Sequence, residues 1–457
     1  MPTILSLLVC LHSEISMTTI RQFSRIALAI LAMTGRVTML GISRWAGRGG
    51  SYRTVTRFFA STLPWAALFW CFFRTHLFRS DDVYLLAGDE TVVSKAGKHT
   101  HGLDRFFASL AGKPIPGLAF FSLSLISTTQ RRSFPIALEQ VIRTPQERAE
   151  ALAKTQTNTK AKTKAKADAT TPKPKGGRPK GSTTKAKTDV VLSPELVRLQ
   201  ALVLALLTRI ASLFPLTYLL LDGHFGTNAA LQMARRCDLH LISKLRSDSA
   251  LYLPYDGPYA GRGQRRIYGD KLNPRAIPER YRCETSRTDT IETSIYRLEA
   301  RHKSFAQPLN LVVIVKTNLR TQAQAHVLLF SSDLMLNAEH LIDYYSLRFQ
   351  LEFTFRDAKQ HWGLEDFMNT SESAVTNAAN LSLFLVNLSE RVLQDMRVAD
   401  PQMSVLDLKA HYRGAKYVEE TIKLLPEKPE PVLVQRIFRT LIGIGRIHAP
   451  PTHSIPA

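Results

Sequence analysis

Cysteine is scarce in this chain of 457 residues, which contains only four, far apart in the sequence. None of them forms the C-x-x-C pair of zinc-binding modules, and their spacing argues against a disulfide framework and fits a reducing compartment. Long apolar runs are also lacking, since none reaches the roughly 18 residues that cross a bilayer. The apolar first residues, 1–11, lack a preceding basic stretch, so we do not predict a signal peptide.

Acidic residues are few compared with basic ones. The chain has 60 Lys and Arg against 38 Asp and Glu, a net charge of +22. Such an excess predicts a polyanionic partner, because DNA binding is strengthened by phosphate contacts and counterion release. A basic protein at a membrane surface is the competing interpretation. The 45% hydrophobic content allows a large core, and the length allows about two to four domains.

A lysine-rich segment, 154–189, contains ten Lys and one Arg against two Asp, a net charge of +9. It has almost no large apolar side chains, so we predict that it is disordered. The run GGRPKG at 176–181 resembles an AT-hook, whose extended Arg-Pro core lies in a narrow minor groove. Arg178 and Lys180 would then contact DNA. A plain basic linker is the alternative.

The first part of the chain, 18–78, has helical periodicity. A turn at 47–50 is followed by a helix with Ser51 as its predicted N-cap. This helix carries Arg53 and Arg57, which we predict to contact phosphates or bases. The order of helix, turn and basic helix is typical of a helix-turn-helix, although an ordinary helical hairpin has the same pattern.

Two apolar runs in the next part each lead to an aspartate. VYLLAGDETVV predicts a buried strand that ends at Asp89, and LTYLLLDGHFG predicts another that stops at Asp222. The predicted order from residue 83 is three strands, helix, strand, helix and strand. This is the order of an RNase H-like α/β domain, with a mixed sheet and helices on both faces. A β-rich insertion and further helices follow, with strands predicted at 280–284, 291–300, 310–315 and 325–330 and helices at 374–396, 405–411, 418–425 and 432–444.

These patterns predict five regions. They are a helical DNA-binding domain at 1–78, the first part of the RNase H-like core at 79–245 with the basic insert 154–189, the β-rich insertion at 246–336, the second part of the core at 337–396, and a helical C-terminal region at 397–457.

One predicted helix, 341–362, contains no Pro or Gly. Its spacing places four polar side chains within about 60° of each other around the axis. These are Tyr345, Arg348, Glu352 and Lys359. An amphipathic helix with an ordinary Arg–Glu pair is the alternative interpretation.

Asp89, Asp222 and Glu352 could converge at one edge of the sheet, where ligands gather at strand ends. Three carboxylates there would repel each other unless divalent cations bridged them. Two Mg²⁺ ions, for which Mn²⁺ could substitute, suit oxygen ligands and in-line displacement at phosphorus. An aspartate at a strand end is, however, often only a turn former or a helix cap.

The chain resembles the DDE transposases of bacterial insertion sequences, in the group with a Tyr-Arg-Glu-Lys signature (the insertion sequence 4 group). The signature residues of the predicted helix are separated by two, three and six residues, as in that group. The runs Asp89-Glu90-Thr91 and Asp222-Gly223-His224-Phe225 match the motifs around the first and second Asp. The resemblance covers about 84–370.

This resemblance implies an RNase H-like catalytic domain with a β-strand insertion, in which Asp89, Asp222 and Glu352 hold the metal ions. Water would nick the transposon end, and the freed 3′-hydroxyl would attack the opposite strand or the target DNA. Tyr345 and Arg348 would hold phosphates, and Lys359 the terminal strand.

The resemblance also implies DNA partners, which are the terminal inverted repeats and the target, a homodimer that pairs two ends, and a place on the nucleoid in the bacterial cytoplasm. The tryptophan that would stack on a base in the insertion is missing, because all four Trp lie elsewhere. Tyr252, Tyr255 or Tyr259 could replace it.

Two other functions are compatible with the sequence. One is a metal-dependent DNA nuclease without strand transfer. The other is a non-catalytic DNA-binding protein derived from a transposase, which the presence of all three carboxylates disfavours.

Overall fold

The structure is a computed structural model that describes residues 3–108, 111–149, 186–210, 213–259, 261, 263, 265–427 and 429–448. Arg178, Lys180 and most of the lysine-rich segment lie outside the described residues. The chain has a mixed α/β architecture, with a mixed sheet and helices at both ends. None of the helices in the described ranges combines the length and apolar character that crossing a bilayer requires.

The main helices of the described residues lie before, within and after the sheet. They are α1 (Ile4–Leu8), α2 (Met17–Ala32), α3 (Met39–Ala46), α4 (Tyr52–Ala60), α5 (Trp65–His76), α6 (Pro194–Ile210), α7 (Asn228–Arg236), α8 (Ala338–Leu347), α9 (Gln350–Gln360), α10 (Glu372–Arg397), α11 (Val405–Lys423) and α12 (Pro431–Leu441). The strands are β1 (Tyr84–Ser94), β2 (Asp104–Ala108), β3 (Lys113–Ser127), β4 (Arg132–Val141), β5 (Tyr218–Leu220), β6 (His240–Leu245), β7 (Leu251–Pro254), β8 (Tyr268–Lys271), β9 (Arg282–Arg287), β10 (Ile291–His302), β11 (Leu309–Asn318) and β12 (Gln324–Ser331).

The centre of the sheet has the strand order β4-β3-β1-β5-β6. The pairs β1–β3 and β3–β4 are antiparallel, so the three successive strands predicted from residue 83 are found, with the short β2 added beside β3. The pairs β1–β5 and β5–β6 are parallel. The sheet then continues without a break, because β12 pairs antiparallel with β6 and is followed by β11 and β10.

The four predicted strands of the insertion are found as β9 to β12, whereas the short β7 and β8 were not predicted. The two helices predicted at 405–411 and 418–425 are wrong as separate elements, because α11 runs through both. Gly414 lies between them. A Cβ there would meet the Ile442 Cα at 3.0 Å, so the glycine allows the chain beyond α12 to approach α11.

The helices α4 and α5 pack on α10, most of which is buried. The helix α2 buries one apolar face, which contains Ile20, Phe23, Ile26 and Ala27. Phe384 of α10 contacts four aromatic rings at centroid distances of 5.0 to 6.1 Å. They belong to Phe23, Trp65, Phe69 and Phe72. The predicted cap of α4 is also found, because the Ser51 side chain accepts a hydrogen bond from the Thr54 amide at 3.3 Å.

A buried aspartate fastens the last described residues to the start of α11. Asp407 is fully buried and accepts hydrogen bonds from the Ser404 hydroxyl at 2.7 Å, the Ile447 amide at 2.6 Å and His448 Nδ1 at 2.7 Å. Burial alone would raise the pKa of Asp407, but the hydrogen bonds from His448 and Ser404 outweigh it and hold the pKa well below its ordinary value. The ionised carboxylate therefore stabilises the native state.

We expect Asp407→Asn to lower the free energy of unfolding by about 2 kcal/mol at neutral pH, as is typical for hydrogen bonds to a charged group. A carboxylate whose native pKa is lowered stabilises the fold above its unfolded pKa, and this contribution is lost as the pH falls. The difference between the two proteins should therefore shrink below about pH 4, the ordinary pKa of aspartate. Urea unfolding at a series of pH values measures it. Asp248→Asn, at an exposed position, is the control, and a difference that stays constant with pH would contradict the assignment.

Candidate active site

The pairing of β1 with β5 places two aspartates side by side. These strands are parallel, and their last paired residues are Ala87 and Leu220. Asp89 and Asp222 each lie two residues further along, so both carboxylates are at the same edge of the sheet. The prediction that β1 ends at Asp89 is wrong, because β1 keeps its pairing with β3 as far as Ser94. What ends before Asp89 is the pairing with β5.

Asp222 also has a local structural role. Its side chain accepts a hydrogen bond from the His224 amide at 3.1 Å and caps a short 3₁₀ turn at 223–225. Its carbonyl accepts a hydrogen bond from the Ser243 hydroxyl at 2.7 Å. The turn lies against β6 at Gly226, where a Cβ would come within 2.3 Å of the Lys244 carbonyl oxygen. Asp222 therefore forms a turn, as the alternative interpretation expected, and it also lies at the edge of the sheet beside Asp89.

Arg348 connects this edge to the helices that follow the sheet. Its Nη1 is 2.6 Å from Asp89 Oδ2, and its Nη2 is 3.4 Å from Glu352 Oε1. The Arg348 side chain is only 14% exposed, whereas that of Glu352 is 46% exposed. The guanidinium thus brings the first aspartate and the glutamate of the predicted triad to one place.

The single helix predicted at 341–362 is wrong, because the structure divides it into α8 and α9. The backbone stays in the right-handed helical region at Arg348 and Phe349, but its hydrogen bonds change to the tighter i→i+3 pattern. The Arg348 amide bonds to Tyr345 at 3.2 Å, and the Glu352 amide bonds to Phe349 at 3.0 Å. Short 3₁₀ turns inside helices often mark hinges or strain. Here the turn coincides with the ion pair to Asp89.

The electrostatics of the edge follow from burial and neighbouring charge. Burial raises the pKa of Asp89, the Arg348 charge lowers it and the Asp222 charge raises it again, with a net increase. Burial disfavours the charged form of Arg348, but Asp89, Asp222 and Glu352 outweigh it and raise its pKa. Asp222 therefore acts on both members of the pair, and the carboxylates at this edge are stabilised by a positive charge.

The donor types at this edge suit a hard divalent cation, because all three candidate ligands are carboxylates. Within the described residues, however, no group of three or more His, Cys, Asp or Glu side chains is arranged to hold a metal ion. The guanidinium of Arg348 takes up one oxygen each of Asp89 and Glu352 instead. The carboxylates fit a divalent metal in their chemistry, while the positive charge that pairs with Asp89 and Glu352 in this structure is that of Arg348.

A comparison with protein families agrees with this geometry. A family model described as "DDE superfamily endonuclease" matches residues 10–303. The chain belongs to this family of DDE superfamily endonucleases. The match includes Asp89 and Asp222 and ends before Glu352. A search of curated proteins found no match. Membership of the family implies nuclease or transposase activity on DNA and, in general, the use of divalent metal ions.

The other predicted site residues differ in their surroundings. Tyr345 is near the carboxylates, with its ring 5.9 Å from Arg348 Cζ. Burial raises the pKa of Tyr345, and the Asp222 charge adds to that increase. Lys359 instead donates a hydrogen bond to the Val92 carbonyl at 3.0 Å and lies 3.5 Å from Glu365, so its ammonium links α9 to β1.

Arg53 and Arg57 are both exposed on α4. They are available to DNA phosphates, but α4 is a separate element from the strands and helices that carry the carboxylates. Their contact with DNA stays a prediction.

One neighbouring pair was not predicted as part of the site. His224 Nε2 is 3.3 Å from Glu195 Oε2, which raises the pKa of His224. Glu195 lies in the first turn of α6. The sequence signal was His224 itself, two residues after Asp222 in the second motif.

Proposed function

We propose that the chain is a DNA transposase of the Tyr-Arg-Glu-Lys signature group, which cleaves the ends of an insertion sequence and joins them to target DNA. The observation that carries the proposal is the place of Asp89 and Asp222 on adjacent parallel strands, with Arg348 connecting Asp89 to Glu352. The signature spacing of Tyr345, Arg348, Glu352 and Lys359 supports the same group.

The proposed core is RNase H-like. In support, the antiparallel strands β1 to β4, of which β2 is short, are followed by α6, the parallel strand β5, α7 and the parallel strand β6. The order β4-β3-β1-β5-β6 brings the first strand to the middle, beside the strand that leads to Asp222. Such a sheet collects functional side chains at the carboxyl ends of its parallel strands.

Asp89, Asp222 and Glu352 would hold two Mg²⁺ ions, once the Asp89 and Glu352 oxygens are released from Arg348. When bound, the ions would supply an activated water and stabilise charge on the phosphate oxygens. Arg348 would then hold a phosphate by two parallel hydrogen bonds, a geometry to which a guanidinium is suited. Tyr345, partly buried beside it, would restrict where that phosphate can lie.

Other basic residues would bind parts of the DNA substrate away from the reacting phosphate. Arg53 and Arg57 on α4, and Arg178 and Lys180 outside the described residues, would contact DNA. Two copies of the chain would pair two terminal inverted repeats. Because the substrate is chromosomal, the protein would associate with the bacterial nucleoid.

A metal-dependent nuclease without strand transfer is the second candidate. The name of the matching family favours it, because that name refers to an endonuclease and to no joining reaction. The same three carboxylates would serve hydrolysis, with water as the only nucleophile.

The products formed from a supercoiled plasmid distinguish these functions. Purified protein would be incubated with Mg²⁺ and a plasmid that carries the candidate element ends. We expect excised and joined products from the natural protein, and DNA binding without cleavage from Glu352→Gln. Nicked or linear products alone would support the nuclease, and a Glu352→Gln variant that cuts normally would rule out the role of Glu352.

A further inference from the structure

Arg348 lies where the proposed function requires a cation. Its Nη1 is 2.6 Å from Asp89 and its Nη2 is 3.4 Å from Glu352. Its Nε is buried and has no hydrogen-bond partner among the described residues. The guanidinium is therefore paired with two candidate metal ligands and still has an unused donor.

We propose that Arg348 keeps the metal site closed until a DNA phosphate takes over its guanidinium, so that DNA binding and metal binding strengthen each other. This inference rests on the proposed function, because it takes Asp89, Asp222 and Glu352 as the metal ligands. It adds to that function an order of events in which substrate binding opens the metal site.

The competition is electrostatic. In the closed arrangement the positive charge of Arg348 compensates Asp89 and repels an approaching cation. Once Arg348 leaves, Asp89 and Asp222 are neighbouring carboxylates at one sheet edge, and a divalent cation would relieve their mutual repulsion. Removal of the guanidinium should therefore increase the affinity of the site for a divalent cation.

A phosphate is a suitable partner for the released guanidinium. Arginine binds phosphate through two parallel hydrogen bonds, and such charge-assisted bonds are roughly twice as strong as neutral ones. The unpartnered Nε supplies one donor of such a pair without breaking any existing hydrogen bond. Because Nε is buried, it becomes accessible to a phosphate only as the Arg348 side chain moves away from Asp89, so phosphate binding and the release of Asp89 take place together.

The local backbone is suited to this exchange. Arg348 lies on the short 3₁₀ turn between α8 and α9, where the i→i+3 hydrogen bonds are less well aligned than those of an α-helix. A return of this turn to α-helical hydrogen bonding would shift Arg348 relative to Asp89 while the buried residues Leu347 and Leu351 stay in the core.

Coupling of this kind must be reciprocal. If a DNA phosphate increases the affinity for the cation, the cation increases the affinity for DNA by the same factor. Arg348→Gln removes the charge but retains most of the side-chain length. The matched control is Arg356→Gln on the following helix, α9, which removes the same charge from a residue whose ion pair, among the described residues, is with the adjacent Asp357.

The test measures Mn²⁺ binding to the full chain by electron paramagnetic resonance of the free ion, without any turnover. We expect weak binding to the natural protein and to Arg356→Gln, and binding tighter by about tenfold or more to Arg348→Gln, within the range typical of site coupling. Adding Asp222→Asn to Arg348→Gln should remove this binding, which identifies the site.

A second series of measurements adds a short DNA duplex. Because DNA itself binds Mn²⁺, the Asp222→Asn protein with the same duplex measures that background. The duplex should tighten Mn²⁺ binding to the natural protein by a similar factor and have little effect on Arg348→Gln. If Arg348→Gln and the natural protein bound Mn²⁺ with equal affinity, at a site that depends on Asp222, the proposal for Arg348 would be wrong. The proposed function would be unaffected. If none of the tested proteins bound Mn²⁺ through Asp222, with or without DNA, both the proposal for Arg348 and the proposed function would be wrong.

Discussion

Replacement of Asp222 by asparagine is expected to abolish metal-dependent DNA cleavage and to leave DNA binding intact. The loss should be at least about a hundredfold, because even residues that only orient a metal ligand cost about ten- to a hundredfold when they are replaced. Asparagine keeps an oxygen that can accept the hydrogen bond from the His224 amide, so the cap of the 3₁₀ turn is preserved. The substitution therefore separates the proposed metal-binding role of Asp222 from its role in the turn. Plasmid cleavage and a DNA mobility shift, made on the same preparations, measure the two properties.

Asp238→Asn is the matched control for this prediction. Asp238 is exposed just before β6 and has a positive φ of 55°, a conformation that asparagine adopts readily. The control should cleave DNA like the natural protein. Normal cleavage by Asp222→Asn would mean that Asp222 only forms the turn, and the proposal of a carboxylate triad would have to be given up.

The position of the two aspartates could be predicted because it depends on local pattern. Asp89 and Asp222 each follow an unbroken apolar run, and parallel strands in a sheet present their carboxyl ends to the same edge. The register of β1 against β5 places both residues two positions beyond the last pair. Their catalytic role is a further step that stays a prediction.

The features that were not predicted depend on contacts between distant parts of the chain. The turn between α8 and α9 lies in a sequence without Pro or Gly, and it coincides with the ion pair from Arg348 to Asp89, 259 positions earlier. The continuation of the sheet through the insertion depends on the pairing of Ile242 with Ser331 and of the residues beside them. Local periodicity identifies each strand and contains no information on which strand it joins.

A buried asparagine holds the helices before the sheet on α10. Asn377 is 2% exposed, and its Oδ1 accepts a hydrogen bond from Trp65 Nε1 at 2.7 Å. Its Nδ2 donates to the Phe59 carbonyl at 2.8 Å and to the Ser61 carbonyl at 2.7 Å. Phe59 and Ser61 lie where α4 ends, and Trp65 begins α5. One side chain therefore satisfies three polar groups where the chain leaves the proposed DNA-binding helix.

We expect Asn377→Ala to lower the free energy of unfolding by about 3 kcal/mol or more, because each buried polar group left without a partner costs about 1–3 kcal/mol. Urea unfolding followed by tryptophan fluorescence measures this loss, and Trp65 itself reports on the site. Asn380→Ala is the matched control on the same helix. Asn380 is equally buried, but among the described residues its amide donates only to the Thr376 carbonyl one turn earlier, so we expect a loss of about 1 kcal/mol, typical of a single substitution. Equal losses would show that the contacts from Asn377 to α4 and α5 add nothing to the stability of the fold, and that aromatic packing around Phe384 alone holds these helices in place.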